Sequence, residues 1–180
     1  MEETLFLAID PDPELVLAAV ESSDDLGKIL RIHLMIEGLT EKLLREHSRA
    51  KVDGRTTFWA KVNLMRAMGV PEKLCAACEA LGSLRNQFAH NPSATLASAA
   101  AKPDAFLAAV EAFAPILPKA HGSYVRKKSG AEYKLVFETA SPAERVILAA
   151  GFLSGALGGL PNMVEFGERR QKAAVAGFML

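Results

Sequence analysis

The sequence has few cysteines and no excess of charge of either sign. Its 180 residues include two cysteines, too few for a disulfide framework, and 21 basic side chains balance 21 acidic ones. This balance argues against a large basic surface that would hold nucleic acid, although contact with RNA at a local site remains open. A chain of this length can bury one substantial core, so we predict a single domain over residues 1–180.

A long apolar run is also missing. The best candidate, residues 146–160, is bounded by Arg145 and Pro161 and is shorter than the roughly 20 residues that a transmembrane helix needs. We therefore predict a packed core or interface helix there, and no membrane partner. Glu2 and Glu3 are acidic at the place where a signal peptide would be basic, so we expect a cytoplasmic protein.

The sequence is rich, by contrast, in helical patterns. Apolar residues recur every three or four positions, which is the spacing of a buried helix face. The pattern predicts helices over residues 14–20, 26–47, 58–68, 71–90 and 104–117. The fold class is therefore all-α, an antiparallel helical bundle.

The last third of the chain differs in character. A turn signal at 128–131 between strand-favouring residues predicts a short β-hairpin near 124–138. Ser141, Pro142 and Glu144 have the spacing of a capped helix start, and that helix continues to about residue 160. A final helix is predicted within 161–180.

Three glycines of that helix, Gly151, Gly155 and Gly159, fall four apart and so share one face. Each glycine costs about 1 kcal/mol relative to alanine inside a helix. We therefore expect close packing on this face that offsets the cost, against either another part of the chain or a second copy.

Cys75 and Cys78 form a C-x-x-C pair within a predicted helix. Structural zinc needs four ligands, and redox pairs lie at the start of a helix that follows a strand. We interpret the two as buried small side chains and predict no metal and no cofactor.

The stretch from Arg85 to His90 has the clearest chemistry. Arg85 can hold a phosphate through several donors, and His90 can transfer a proton near neutral pH. In a straight helix the two side chains would point roughly 140° apart, so they converge only if the helix ends or bends between them, or if a second chain contributes. Asn91-Pro92 predicts a helix end at this point. The structural alternative is that the arginine pairs with a carboxylate and the histidine caps the helix.

Two further residues could support such a site. His33 and Glu37 lie four apart, one turn of helix, beside the apolar stripe of helix 26–47. A buried carboxylate needs a partner, and Arg85 is a candidate. The alternative is that Glu37 contacts His33 or faces water. Trp59, the only tryptophan, fits either the edge of the core or an interface.

The six residues Arg85-Asn86-Gln87-Phe88-Ala89-His90 resemble the R-N-x-x-x-H form of the motif that marks the HEPN superfamily of small all-helical domains. The run from Phe58 to His90, with its Gly69-Val70 turn, is similar to the mannitol-repressor-like branch. The likeness covers about residues 26–118. It implies a HEPN-like core there and leaves 120–180 as a C-terminal extension of unassigned role.

This resemblance implies a metal-independent endoribonuclease, in which the ribose 2′-hydroxyl attacks the neighbouring phosphate and leaves a 2′,3′-cyclic end. His90 would transfer the proton, Arg85 would stabilise the growing charge, and Asn86 would orient one of them or donate to a phosphate oxygen. Related nucleases build the site from two copies of the motif, so a homodimer with RNA as partner is expected.

The mannitol-repressor-like branch implies a different role, a non-catalytic module that regulates transcription through a protein partner. In that case Arg85 pairs with Glu37, and His90 caps its helix. The sequence has no helix-turn-helix with a basic recognition helix, so direct sequence-specific DNA binding is not expected. A toxin–antitoxin context cannot be read from one chain. Exposure of Arg85 and His90 in a shared cleft would favour the nuclease.

Overall fold

A computed structural model describes residues 12–47, 52–91, 93–97, 103–126 and 129–160. This part of the chain is mostly helical and carries one two-stranded antiparallel sheet, so the all-α prediction is confirmed at that level. The elements are α1 (Pro13–Glu21), α2 (Asp25–His47), α3 (Phe58–Ala67), α4 (Glu72–His90), α5 (Pro103–Glu111), a short 3-10 helix (Leu117–Lys119), β1 (His121–Val125), β2 (Glu132–Val136) and α6 (Pro142–Gly159).

The helix boundaries follow local sequence signals. Thr57 caps α3 by accepting a hydrogen bond from the Ala60 N–H, and Gly69 adopts φ +86 in the turn that follows. At the start of α6, Ser141 and Glu144 bond each other's backbone N–H groups, as the sequence predicts. The predicted helix within 161–180 lies outside the described residues.

The prediction for α5 is wrong at its C-terminal end. The helix stops at Glu111, whereas the apolar pattern had extended it to Leu117. Pro115 explains the difference, because a proline ring clashes with the carbonyl four residues earlier, which belongs to Glu111. The chain turns over the next residues and enters the 3-10 helix.

The predicted hairpin is confirmed, although it begins at His121 rather than Tyr124. Strands β1 and β2 pair antiparallel with Tyr124 opposite Tyr133, and Gly130 supplies φ +70 in the turn. The Arg126 guanidinium and the Tyr133 hydroxyl both donate to the Glu21 carboxylate, at 2.7 and 2.9 Å. The hairpin is thereby attached to α1.

The buried side chains form one apolar core around α2, which packs against α1, α3, α4 and α6. Both cysteines are buried inside it, as predicted, and both are free thiols. Burial raises the pKa of Cys75 to about 11 and that of Cys78 still further.

The apolar helix α6 is a core helix, as predicted, with most of its residues buried. Among the described residues, no helix is long and apolar enough to cross a membrane.

The face of α6 that carries the three glycines is not covered by any part of the chain that the structure describes. A Cβ atom placed on Gly155 or Gly159 meets no atom within 4 Å, and one on Gly151 meets only the Tyr124 hydroxyl at 3.8 Å. The alternative of close packing within the chain is therefore wrong for the described residues. A groove of about 500 Å³ runs along this face between Phe113 and Phe152.

Candidate functional site

A cavity of about 360 Å³ lies between α2, α3 and α4, beside the sequence motif. Its polar side chains come from α2, α4 and the N-cap residue Thr57, and its apolar side chains come from α3. The lining residues are His33, Glu37, Thr57, Phe58, Trp59, Val62, Glu79, Gly82, Ser83, Arg85 and Asn86. Four of the five predicted site residues are thus together, because α4 packs against both α2 and α3.

Arg85 is half-buried in the α4 wall and has bonding capacity to spare. Its Nη1 donates to the Asn86 side-chain oxygen at 3.0 Å, whereas its Nε is buried without a hydrogen-bond partner. Among the described residues, no carboxylate lies within ion-pair distance of it. A guanidinium has five N–H donors, and a single hydrogen bond is observed for Arg85 among the described residues, so its group keeps the capacity to bind an anion.

The predicted partner of Arg85 is wrong. Glu37 instead binds the ammonium group of Lys61 at 2.9 Å, and Lys61 also binds Glu41 at 3.0 Å. The Lys61 side chain is almost fully buried; burial would lower its pKa, but the two carboxylates raise the pKa above the ordinary value. Lys61 was not among the predicted site residues; it lies on α3, 24 positions along the chain from Glu37.

The second carboxylate of the cavity wall is occupied in the same way. Glu79 accepts a bond from Arg66 at 2.6 Å, and Arg66 also binds Glu72. Both cavity carboxylates therefore contact a cation, whereas Arg85 contacts no anion among the described residues. This difference makes Arg85 the group in the wall that attracts a negatively charged ligand.

His33 faces the same cavity in a tightly held position and is only 5% exposed. Its Nδ1 lies 3.6 Å from Glu37 Oε2, so the predicted contact between the two is observed, and its ring packs edge-on against Phe58 with centroids 4.6 Å apart. Burial lowers the pKa of His33; Glu37 opposes this, and the charges of Arg85 and Lys61 add to the lowering. His33 is therefore neutral near pH 7 and able to accept a proton.

His90 occupies a different position. It is the last residue of α4, it is exposed, and it does not line the cavity. Because α4 continues unbroken from Arg85 through His90, the helix ends after the pair and not between them. The His90 side chain makes no hydrogen bond or ion pair with any other residue in the described ranges. One chain alone thus brings Arg85 to His33, not to His90.

Trp59 projects from the first turn of α3 at the rim of this cavity. It is 58% exposed, the most exposed large apolar side chain in the part of the chain that the structure describes. Trp59 and Arg85 line the same cavity from different helices. The sequence gives no signal for this arrangement, since the two residues are 26 positions apart.

The cavity therefore combines an unpaired cation, an amide, a neutral imidazole and an exposed aromatic ring. These groups suit an anion attached to a flat apolar group, with proton transfer at the same place. In the described ranges, no three His, Cys, Asp or Glu side chains are grouped as metal ligands would be.

Comparison of the chain with protein-family models, with curated proteins and with solved structures found no match in any of the three. The resemblance to the HEPN superfamily consequently stays a prediction from the Arg85–His90 motif and its helical surroundings.

Proposed function

We propose that the protein is a HEPN-like, metal-independent endoribonuclease and that the scissile phosphodiester binds in the cavity between α2, α3 and α4. The observation that carries the proposal is Arg85, which lines the cavity and has no carboxylate partner among the described residues. The other cations beside the cavity, Lys61 and Arg66, are already bound to carboxylates. A phosphate is the natural bidentate partner of such an arginine.

In the proposed reaction, Arg85 and Asn86 hold the phosphate oxygens. The neutral His33 takes the proton of the ribose 2′-hydroxyl, and the 2′-oxygen forms a bond to phosphorus as the bond from phosphorus to the 5′-oxygen breaks. Glu37, beside His33 Nδ1, favours the tautomer that leaves the Nε2 lone pair free. The products are a 2′,3′-cyclic phosphate and a 5′-hydroxyl.

The leaving 5′-oxygen needs a proton, and His90 is the proposed donor. Since His90 of the same chain does not line the cavity, we propose that it comes from a second copy in a homodimer. A two-fold arrangement would then give two equal sites, each with Arg85 from one chain and His90 from the other.

Incubation of labelled RNA with the protein in EDTA tests this function. We expect cleavage with 2′,3′-cyclic ends, reduced roughly 10²- to 10⁴-fold in Arg85→Ala and in His90→Ala, because each removes a group that acts in the transition state. Matched controls are Arg55→Ala and His121→Ala, whose exposed side chains lie outside the cavity wall.

Cleavage that persists unchanged in His90→Ala would remove His90 from the mechanism. Absence of cleavage by the wild-type chain on a mixed RNA pool would overturn the nuclease proposal. The remaining alternative would then be the regulatory or protein-interaction module. That alternative ranks second here because its characteristic contact, Arg85 with Glu37, is replaced by Lys61 with Glu37.

A further inference from the structure

The position of Trp59 narrows the class of RNA that the cavity could accept. A tryptophan exposed by more than half loses the stabilisation that burial of its ring would give, and single-stranded nucleic acid is a ligand that restores it. Trp59 lines the same cavity as Arg85. A phosphate on Arg85 therefore has an aromatic surface within the same cavity for a neighbouring base.

The size of the cavity points the same way. Its volume of about 360 Å³ is at the lower end of ligand pockets, which span about 300–1,000 Å³. A pocket of that size suits one nucleotide and is too small for a duplex. The faces of bases within an A-form duplex are covered by their neighbours, so an aromatic ring can stack only on a base that is unpaired or splayed out.

We infer that Trp59 stacks on a base next to the phosphate held by Arg85, and that the substrate is single-stranded RNA. The inference rests on the proposed function for its choice of RNA. It adds a binding residue that lies outside the Arg85–His90 motif and comes from α3.

The chain contains one tryptophan, so its intrinsic fluorescence reports on this ring directly. The probe is a short 2′-O-methyl oligoribonucleotide, which cannot be cleaved because its 2′-oxygen carries no proton. We expect the single-stranded oligonucleotide to quench Trp59 fluorescence, and the same sequence annealed to its complement to leave it unchanged. Arg85→Gln should weaken the affinity obtained from this quenching at least tenfold.

Affinity is then measured by anisotropy of the labelled oligonucleotide, which does not need the tryptophan. Trp59→Ala should weaken binding roughly 5- to 150-fold, whereas Trp59→Phe, which keeps an aromatic face, should stay within a few-fold of wild type. Ile116→Ala is the matched control, because Ile116 is 55% exposed and lies away from the cavity wall.

Unchanged affinity in Trp59→Ala would overturn the inference, as would equal quenching by single strand and duplex. Dissociation of a dimer by Trp59→Ala, seen by sedimentation without loss of RNA affinity per chain, would place the ring in a subunit interface and also overturn it. So would quenching by an acidic phosphopeptide and not by RNA.

The two proposals fail in distinguishable ways. Quenching by the single-stranded oligonucleotide, with no cleavage of RNA that carries free 2′-hydroxyl groups, would overturn the nuclease proposal and support the stacking site. Cleavage of single-stranded and duplex RNA at equal rates, with Trp59→Ala fully active, would do the reverse.

Discussion

At the scale of single residues, Lys61 connects the cavity residue Glu37 to Glu41 through two ion pairs. Its side chain is 4% exposed, and its ammonium group lies between Glu37 and Glu41. A charge in that position is stabilised only while both carboxylates remain, and the carboxylates in turn depend on it.

Replacement of Lys61 by methionine should lower the free energy of unfolding by about 2–4 kcal/mol. The figure is below that for a fully buried pair because the two carboxylates are about a quarter exposed. Urea unfolding measures it, with Lys42→Met as the control, since Lys42 is exposed on the same helix as Glu41. If the unfolding free energy of Lys61→Met falls no more than that of the control, water must solvate the two glutamates in place of Lys61.

His33 should respond to the charge on Arg85. Burial is the main reason that the pKa of His33 is lowered, and Arg85 adds to the effect, so Arg85→Gln should raise this pKa. Inorganic phosphate bound to Arg85 should raise it too. NMR titration of labelled histidine measures both, with Arg55→Gln as the control. An unmoved His33 titration in Arg85→Gln would mean that the two groups do not interact.

The same lowered pKa sets the sign of a pH dependence. The unfolded chain protonates His33 near pH 6.5, whereas the folded chain resists protonation to a lower pH. Its contribution to stability is therefore complete above that value and decreases as the pH falls from about 6.5 toward the folded pKa.

At the scale of elements, the helices were predictable because their signals are local. The caps at Thr57 and Ser141, the turn at Gly69 and the apolar spacing of α2 and α4 each act within a few residues of chain. The one boundary that the periodicity overran, at α5, was set by Pro115, whose effect reaches back one turn. The apolar spacing extended α5 to residue 117, but Pro115 ended it at Glu111.

The glycine face of α6 makes a prediction about stability: an added methyl group there should stabilise the protein, whereas close packing would make it destabilising. Gly155→Ala should raise the free energy of unfolding by about 0.5–1 kcal/mol, because alanine favours helix and its methyl group meets no atom of residues 12–160 that the structure describes. Gly122→Ala is the matched contrast. Its Cβ would lie 3.0 Å from Leu148 Cδ2, so it should lower stability by about 1 kcal/mol.

Thermal unfolding of both glycine variants, with sedimentation to record mass, checks this pair. A loss of stability in Gly155→Ala together with a shift from dimer to monomer would instead place a second copy of the chain on that face.

At the scale of the whole molecule, the sequence could not predict which side chains meet across helices. Lys61 lies 24 positions from Glu37, and Trp59 lies 26 from Arg85, so no local spacing connects them. Arg85 was a reasonable partner for Glu37 on helical geometry alone. The packing of α3 against α2 brought a second cation closer, and only the fold decides between the two.

A mixing experiment tests whether two chains share one site. Arg85→Ala and His90→Ala chains, each strongly impaired alone, should regain about a quarter of the wild-type cleavage rate when refolded together. Half of the dimers then contain both chains, and each such dimer has one intact site and one doubly defective site. Mixtures that stay inactive would mean that both residues act within a single chain.

The two buried thiols have a practical consequence for such measurements. Cys75 and Cys78 are the only cysteines in the chain, and both are enclosed by the core with pKa values above that of a free thiol. Maleimide reagents should therefore leave the native protein unlabelled. A cysteine introduced in place of Ser83, which is exposed and lines the cavity, would then carry the only spin label on each chain. Electron paramagnetic resonance would measure the distance between the two labels, and so between the two cavities, in the proposed homodimer.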